Sequence, residues 1–364
     1  MKGTFKITLA YLRELGACRD GQREFQRAFP DGGEYQEVLD RCAEEGRLDF
    51  GSWLIDHIGP TEDVRVYEDI VSEPQRGIIF AGRIKFRLGA AIKFVVSGEG
   101  IEAGEGIKAG EGIEAGWGIE AGEGIEAGKG IEAGKGIKAG WGIKAGRGIK
   151  AGEGIDAGWG IEAGWGIKAG EGIKAGCDIE AGEGIKAGRG IEAGWGIKAG
   201  EGIEAGKGIE AGWGIKAGCG IKAGEGIKAG EGIEVGWGID AGWGIKAGCG
   251  IEVGWGIEAG WGIEAGWGIK AGWGIKAGRG IKAGCGIKAG RGIKAGWGIE
   301  AGEGIEAGRG IEAGEGIKTG RGFCIFAGLR VRKSDWGFCA TVSASAKPNN
   351  LISGFWKPLE GHNG

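Results

Sequence analysis

The sequence predicts a mostly β chain: a hexapeptide-repeat β-solenoid, three hexads per coil, carrying a small N-terminal α-helical domain. Three observations carry that prediction. Ile stands at position 101 and at every sixth residue to Ile317, in 37 copies of Ile-(Glu/Lys)-Ala-Gly-(variable)-Gly. Gly makes up 91 of 364 residues, far above the roughly 7% of average proteins. Bulky residues flank the array at both ends, as stacked repeats require. Collagen is excluded, because it needs Gly at every third position and abundant Pro, and only five Pro are present. A flexible linker is excluded by a 41% hydrophobic content set on a strict beat.

Residues 1–60 read as the helical head. Leu9, Leu12 and Leu15 line one face of a helix ending at Gly16, and Asp20 is placed to cap a second helix carrying Phe25 and Phe29, stopped by Pro30. Tyr35, Val38, Leu39 and Cys42 form the face of a third, ended by Gly46. Phe50, Trp53, Leu54 and Ile58 fit a fourth, ended by Gly59-Pro60. Cys18 and Cys42 are read as head core. A domain of about 60 residues sits near the lower limit for folding alone, so it is expected to lean on the adjoining segment.

Residues 61–98 are a bridge and N-terminal solenoid cap, where Ile84 and Phe86 alternate with Arg83, Lys85 and Arg87 as in a half-buried strand. Residues 99–322 are the array. In a strand, Ile and Ala two apart point inward together and the Glu or Lys between them points to water. Gly-variable-Gly then supplies a corner, where Gly is expected to take positive φ. One Ile contributes roughly 2–3 kcal/mol on burial. Ordering six residues costs at least about 6 kcal/mol, so hexads must stack to be stable. Stacked like charges destabilise, and this weighs the coil size. At a spacing of 18 residues, 22 of 34 charged pairs are opposite in sign, against 20 of 35 at a spacing of 12. Three hexads per coil would make about 12 coils and a rod of roughly 60 Å at about 4.8 Å per coil. Departures from the unit are few: Val235, Val253 and Thr319 replace Ala, and Asp178 replaces a Gly.

Residues 323–364 are the C-terminal cap and tail. The string Gly322-Phe323-Cys324-Ile325-Phe326-Ala327-Gly328-Leu329 mirrors Gly77-Ile78-Ile79-Phe80-Ala81-Gly82. Val342 to Pro348 reads as a short strand, and Phe355-Trp356-Lys357-Pro358 as an apolar anchor that folds back as a cap or docks a partner.

The six-residue beat resembles the left-handed β-helix of hexapeptide-repeat proteins, although a large or charged residue here stands where that family carries a small one. The Ile-x-Ala-Gly-x-Gly unit more closely resembles polymer-forming, bactofilin-like β-solenoids. It is most similar to bacterial and phage proteins built on GIEAG/GIKAG units. Ala17-Cys18-Arg19-Asp20-Gly21 followed by Phe25 is similar to an ACxxGxxxF segment in their heads. The resemblance implies a solenoid and no settled activity.

Chemistry is sparse. Hexapeptide acyltransferases use a coil His and related carbonic anhydrases use several, but the only His residues are His57 and His362, both outside the array. His57 beside Asp56 reads as a solvated helix end rather than a relay pair. Eight Cys include no CxxC pair, and the corner residues Cys177, Cys219, Cys249 and Cys285 never fall one coil apart. They read as reduced thiols. GxGxxG-like strings arise from the hexad and lack the strand-to-helix setting of a phosphate loop. No catalytic residue, cofactor or metal is expected.

The variable corner carries 13 of the 16 Trp: Trp117, Trp141, Trp159, Trp165, Trp195, Trp213, Trp237, Trp243, Trp255, Trp261, Trp267, Trp273 and Trp297. Exposed indoles can stack on sugars or pack rods together, and they form the candidate interaction surface. They divide four, four and five over the three edges of an 18-residue coil, which argues against one ligand face. Near-absence of Thr from the repeat argues against an ice binder, and alternating Glu and Lys against a DNA mimic. A formal charge of −4 from 46 basic and 50 acidic residues predicts no nucleic-acid or membrane partner. The opening MKGTFKITLAYLREL has no signal-peptide apolar core, and no run approaches the roughly 18 apolar residues of a membrane span. A cytoplasmic location is expected. The leading expectation is a non-enzymatic scaffold, partnered by itself or another protein. The alternative is a carbohydrate- or surface-binding protein using the corner Trp.

Overall fold

The computed structural model describes residues 5–321, 323–329 and 333–359. Gly322 and His362 lie outside them. The fold is a parallel β-solenoid with a small N-terminal helical region, divided into two compact units, Met1–Gly170 and Glu171–Gly364. Among the described residues no helix is long and apolar enough to cross a membrane.

The first unit opens with α1 (Leu9–Glu14), α2 (Arg19–Ala28), α3 (Tyr35–Glu44) and α4 (Leu48–Ile58). Thr8 Oγ1 accepts from the Tyr11 amide and caps α1. Asp20 does not cap α2. It lies inside the first turn, and the cap is Cys18, whose sulfur accepts from the Gly21 amide at 3.4 Å. Cys18 is therefore exposed rather than core, while Cys42 does pack against the core. Burial first, and the nearby Glu45 carboxylate second, push the Cys42 thiol up to about 12. Cys42 is accordingly expected to resist iodoacetamide at pH 8 while exposed Cys18, Cys219, Cys249 and Cys339 are alkylated. Peptide mapping of the native and denatured protein checks this.

The head does not own a separate core. Leu12, Phe25, Val38, Leu39, Leu54 and Ile55 form one buried cluster with Ile79, Ala81, Phe94 and Val96 of the first solenoid strands. α4 comes so close to Ile79 that a Cβ on Gly51 would overlap its Cδ1. Polar contacts fix the junction. The Gln36 amide donates to the Ile79 carbonyl at 2.9 Å and accepts from the Ala81 amide at 3.1 Å, and Arg65 pairs with Asp40. Ser52 Oγ donates to Glu114 at 2.6 Å.

Burial, with the nearby Glu132 and Asp56 carboxylates, raises the Glu114 carboxyl above its ordinary 4.5, against the opposing Ser52 hydrogen bond. Raised in the folded state, this group stabilises the junction fully below about pH 4.5. That contribution is lost as pH rises through the elevated native value. Glu114→Gln is therefore expected to remove this part of the pH dependence and to leave the junction at least as stable at neutral pH. Thermal unfolding of both proteins from pH 4 to 7 checks it.

Parallel pairing begins with Val64–Tyr67 on Arg83–Phe86 and Val71–Phe80 on Ala90–Ser97. Arg83–Phe86 pairs with Ile101–Ala103, and the array then holds one register: Ile101 on Ile119 on Ile137 on Ile155. The second unit repeats it from Ile173 on Ile191 to Ile299 on Ile317. Each coil is thus 18 residues, as the charge pattern predicts. Array Ile and nearly all its Ala or Val residues are buried. Charges pair across coils on the outside, as in Lys144–Glu162 at 2.9 Å and Lys216–Glu234 at 2.9 Å. These pairs are exposed, so they add little stability.

The corner glycines are not in the left-handed region. Positive φ among the described residues is confined to Gly16, Gly32, Gly46, Gly59, Gly328 and Gly354, none of them in the array. Close approach of backbones is the actual demand. A Cβ on Gly134, the residue after Ala, would overlap the carbonyl oxygen of Gly116 in the preceding coil, well inside the 3.0 Å limit of real contacts. A Cβ on Gly136, before Ile, would sit 3.4 Å from the Gly154 oxygen.

The departures are consistent with this geometry. Asp178 occupies the permissive second position and its Oδ1 accepts from the Gly196 amide at 2.8 Å. Val235 and Val253 lie directly on one another in register. Thr319 Oγ1 donates to the Phe323 carbonyl at 2.9 Å and accepts from Asn350 at 2.8 Å.

At the far end of the second unit, Ile325–Ala327 and Thr341–Ser343 continue the ladder on Ile305 and Ile311. Leu351–Ser353 and Phe355–Trp356 add one further layer. Ser345 Oγ and Ser353 Oγ donate to the Gly314 and Ala327 carbonyls at 2.6 and 2.9 Å. Backbone acceptors near the end of the stack are thereby satisfied.

Candidate functional site

The variable corner residue stands outside the hydrophobic interior. Its amide donates to the corner carbonyl one coil earlier, as from Trp213 to Trp195 at 2.8 Å. Within each unit, corner side chains therefore form columns with a backbone ladder beneath them. The 13 corner Trp are 39–69% exposed. Trp117, Trp141, Trp159 and Trp165 stand in the first unit and the other nine in the second.

Many of these rings meet one another. Trp141 and Trp159 stack at 6.4 Å between centroids, Trp195 and Trp213 at 5.5 Å, Trp243 and Trp261 at 6.5 Å, and Trp255 and Trp273 at 4.8 Å. Cations extend the stacks. Lys135 Nζ lies 4.0 Å over Trp117, and the Arg147 guanidinium 5.5 Å over Trp165. The Arg279 guanidinium is inserted between Trp261 and Trp297 at 3.5 and 4.7 Å, and Arg291 lies 3.6 Å over Trp273. Trp261 and Trp273 thus have an aromatic ring on one side and a guanidinium on the other. Sugar recognition uses an open indole face. Trp237 and Trp267, 69% and 68% exposed, keep theirs; neither stacks on another aromatic ring among the described residues.

Open grooves run beside two columns of the second unit. One, of about 1020 Å³, has Trp195 and Trp213 on one wall, Lys198 and Lys216 on the other, and Gly-Ile backbone as its floor. A second, of about 990 Å³, runs beside Trp261, Arg279 and Trp297. Their linings are rows of two repeating positions, the corner and the mid-strand residue, so Lys and Glu side chains follow one another along each groove.

In the head, the His57 ring stacks on Trp53 at 4.2 Å and its Nδ1 lies 2.8 Å from the Trp53 carbonyl. That arrangement closes the end of α4 and does not engage Asp56. Tyr35 Oη donates to backbone carbonyls of Gly59 and Leu54, and burial drives its phenol pKa upward. Among the described residues no three His, Cys, Asp or Glu side chains gather to hold a metal ion, and the eight Cys are free.

Counting Trp per edge overlooks Arg279, Arg291 and the order of residues within a column. From 237 to 297 the corner holds seven Trp, two Arg and two Cys and no acidic residue. Reading the corner residues in sequence order reveals that run.

Residues 1–58 match the family described as the YdhT N-terminal domain. The match covers the helical head, a minor part of the chain. No curated protein and no solved structure matches the chain.

Proposed function

We propose that this chain is a non-enzymatic structural or scaffold protein whose solenoid coils serve as a spacer or self-assembling element. One observation carries this reading: within each unit, coil after coil repeats one 18-residue register, so no coil is set apart by a site of its own. Groups that could bear chemistry are absorbed into the fold: Cys18 caps α2, Tyr35 tethers backbone, His57 closes α4, and most corner Trp pack on neighbours. The partner is a second copy or another protein.

Light scattering combined with negative-stain electron microscopy on the full chain tests the proposal. Defined oligomers, filaments or a stoichiometric complex with a co-expressed protein are expected. A chain that stays monomeric at high concentration and binds no co-expressed protein overturns it. A carbohydrate-binding reading rests on corner Trp that keep an open face, of which Trp237 and Trp267 are the most exposed. It requires oligosaccharide to quench Trp fluorescence and Trp237→Ala with Trp267→Ala to abolish the quenching.

A further inference from the structure

One corner column of the second unit is polarised along its length. From the N-terminal side it reads Glu183, Glu201, Cys219, Trp237, Trp255, Trp273, Arg291, Arg309. Backbone hydrogen bonds join every consecutive pair, from Glu201 to Glu183 at 3.0 Å through to Arg309 to Arg291 at 2.8 Å, so the eight side chains form one continuous edge. Seven coil steps at about 4.8 Å give that edge a span of about 34 Å. Two carboxylates stand at one end, two guanidiniums at the other and three indoles between them. All are exposed except Arg291, which is half-buried over Trp273.

The mid-strand Lys and Glu around this edge are largely neutralised within the chain, as in Lys276–Glu258 at 2.6 Å and Lys294–Glu312 at 2.9 Å. The edge charges are not. Among the described residues, no opposite charge lies within 4.0 Å of Glu183, Glu201, Arg291 or Arg309. The other two columns of this unit show no such order. They read Glu-Arg-Lys-Glu-Trp-Trp-Arg-Trp-Glu from Glu171 and Cys-Trp-Trp-Glu-Cys-Trp-Cys-Glu-Arg from Cys177.

We infer that this edge is a self-complementary contact through which two copies of the chain pair antiparallel. This rests on, and deepens, the self-assembly reading above. Reversing the column about its midpoint sets Glu183 against Arg309, Glu201 against Arg291, Cys219 against Trp273 and Trp237 against Trp255. Every charge meets its opposite and the aromatic centre meets itself. Parallel pairing would instead set Glu on Glu and Arg on Arg, which repels. A two-fold contact of this kind is isologous and closes at two copies. One edge, a side chain wide, buries less than the about 800 Å² per partner of a standing complex. The dimer is therefore concentration-dependent and weakens with salt at its charged ends.

Sedimentation equilibrium of the full chain tests this. Wild type is expected to show a reversible monomer–dimer equilibrium. E183R/E201R and R291E/R309E should each weaken self-association at least tenfold, and an equimolar mixture of the two should restore dimer, as a heterodimer. The four-fold swap E183R/E201R/R291E/R309E should dimerise like wild type, which also shows that the substituted solenoid folds. A monomeric wild type, variants that associate like wild type, or a mixture without rescue each overturn the antiparallel edge. Wild-type assembly that ignores the charge reversals leaves the scaffold reading in place, because that reading falls only by its own result.

Discussion

Gly134→Ala is expected to lower the unfolding temperature by about 2–4 °C, whereas Gly136→Ala, two residues on, should leave it unchanged or raise it by about 1 °C. The residues share a corner and a side-chain change, so intrinsic helix or turn preference cannot separate them. Their surroundings do. A Cβ at Gly134 runs into the Gly116 carbonyl, part of the preceding coil's backbone, and no rotamer relieves that overlap. The coils must separate locally, stretching the hydrogen bond from the Gly134 amide to the Ala115 carbonyl at 2.9 Å. Overpacking commonly costs about 1–3 kcal/mol, and loss of ladder geometry adds to it. A Cβ at Gly136 meets the Gly154 oxygen at 3.4 Å, an ordinary contact. Removing Gly there also lowers the entropy of the unfolded chain, a gain of roughly 0.4–1 kcal/mol. Calorimetry on the three proteins decides the matter, and equal shifts for both variants would refute the close-approach account.

That asymmetry was already present in the chain, though not where positive φ directed attention. Across the array the Gly after Ala never varies, while the Gly before Ile yields once, to Asp178. A position that accepts Asp with an ordinary backbone does not demand a left-handed residue. Gly identity signals either conformation or crowding, and only the neighbours tell which. Other features were open to reading at a spacing of 18. Pairing of Glu with Lys indicated the coil size, and Val235 and Val253 differ by one coil, which is why two enlarged core residues accommodate each other. The polarised edge needed the same reading of the corner residues and is lost when Trp alone are counted. Cys18 as an N-cap was harder to see, because Asp20 is the stronger capping type and sulfur a weaker acceptor. The shared core of head and first coil was legible only as a deficit: a domain of that size cannot bury enough on its own.

Phe94→Ala should undo that sharing. Phe94 is fully buried in the cluster that joins the helices to the solenoid. Its ring fills the space above Gly77, where an added Cβ would overlap it. Truncating such a ring costs about 3–5 kcal/mol, because transfer energy is lost and the rigid strands beneath cannot close the cavity. Solenoid stability is a sum of nearest-neighbour terms, so the loss should stay local. Hydrogen exchange is expected to accelerate in α1 to α4 and in Val71–Phe80, while amides beyond Ile137 keep their wild-type protection. The result bears on function as well as folding. If this cluster supplies most of the hold on the head, the variant presents an intact array with a loosened head, and self-association through the Glu183–Arg309 edge should survive. Loss of protection throughout the array would instead mean that the head nucleates the stack, and that the two behave as one cooperative body.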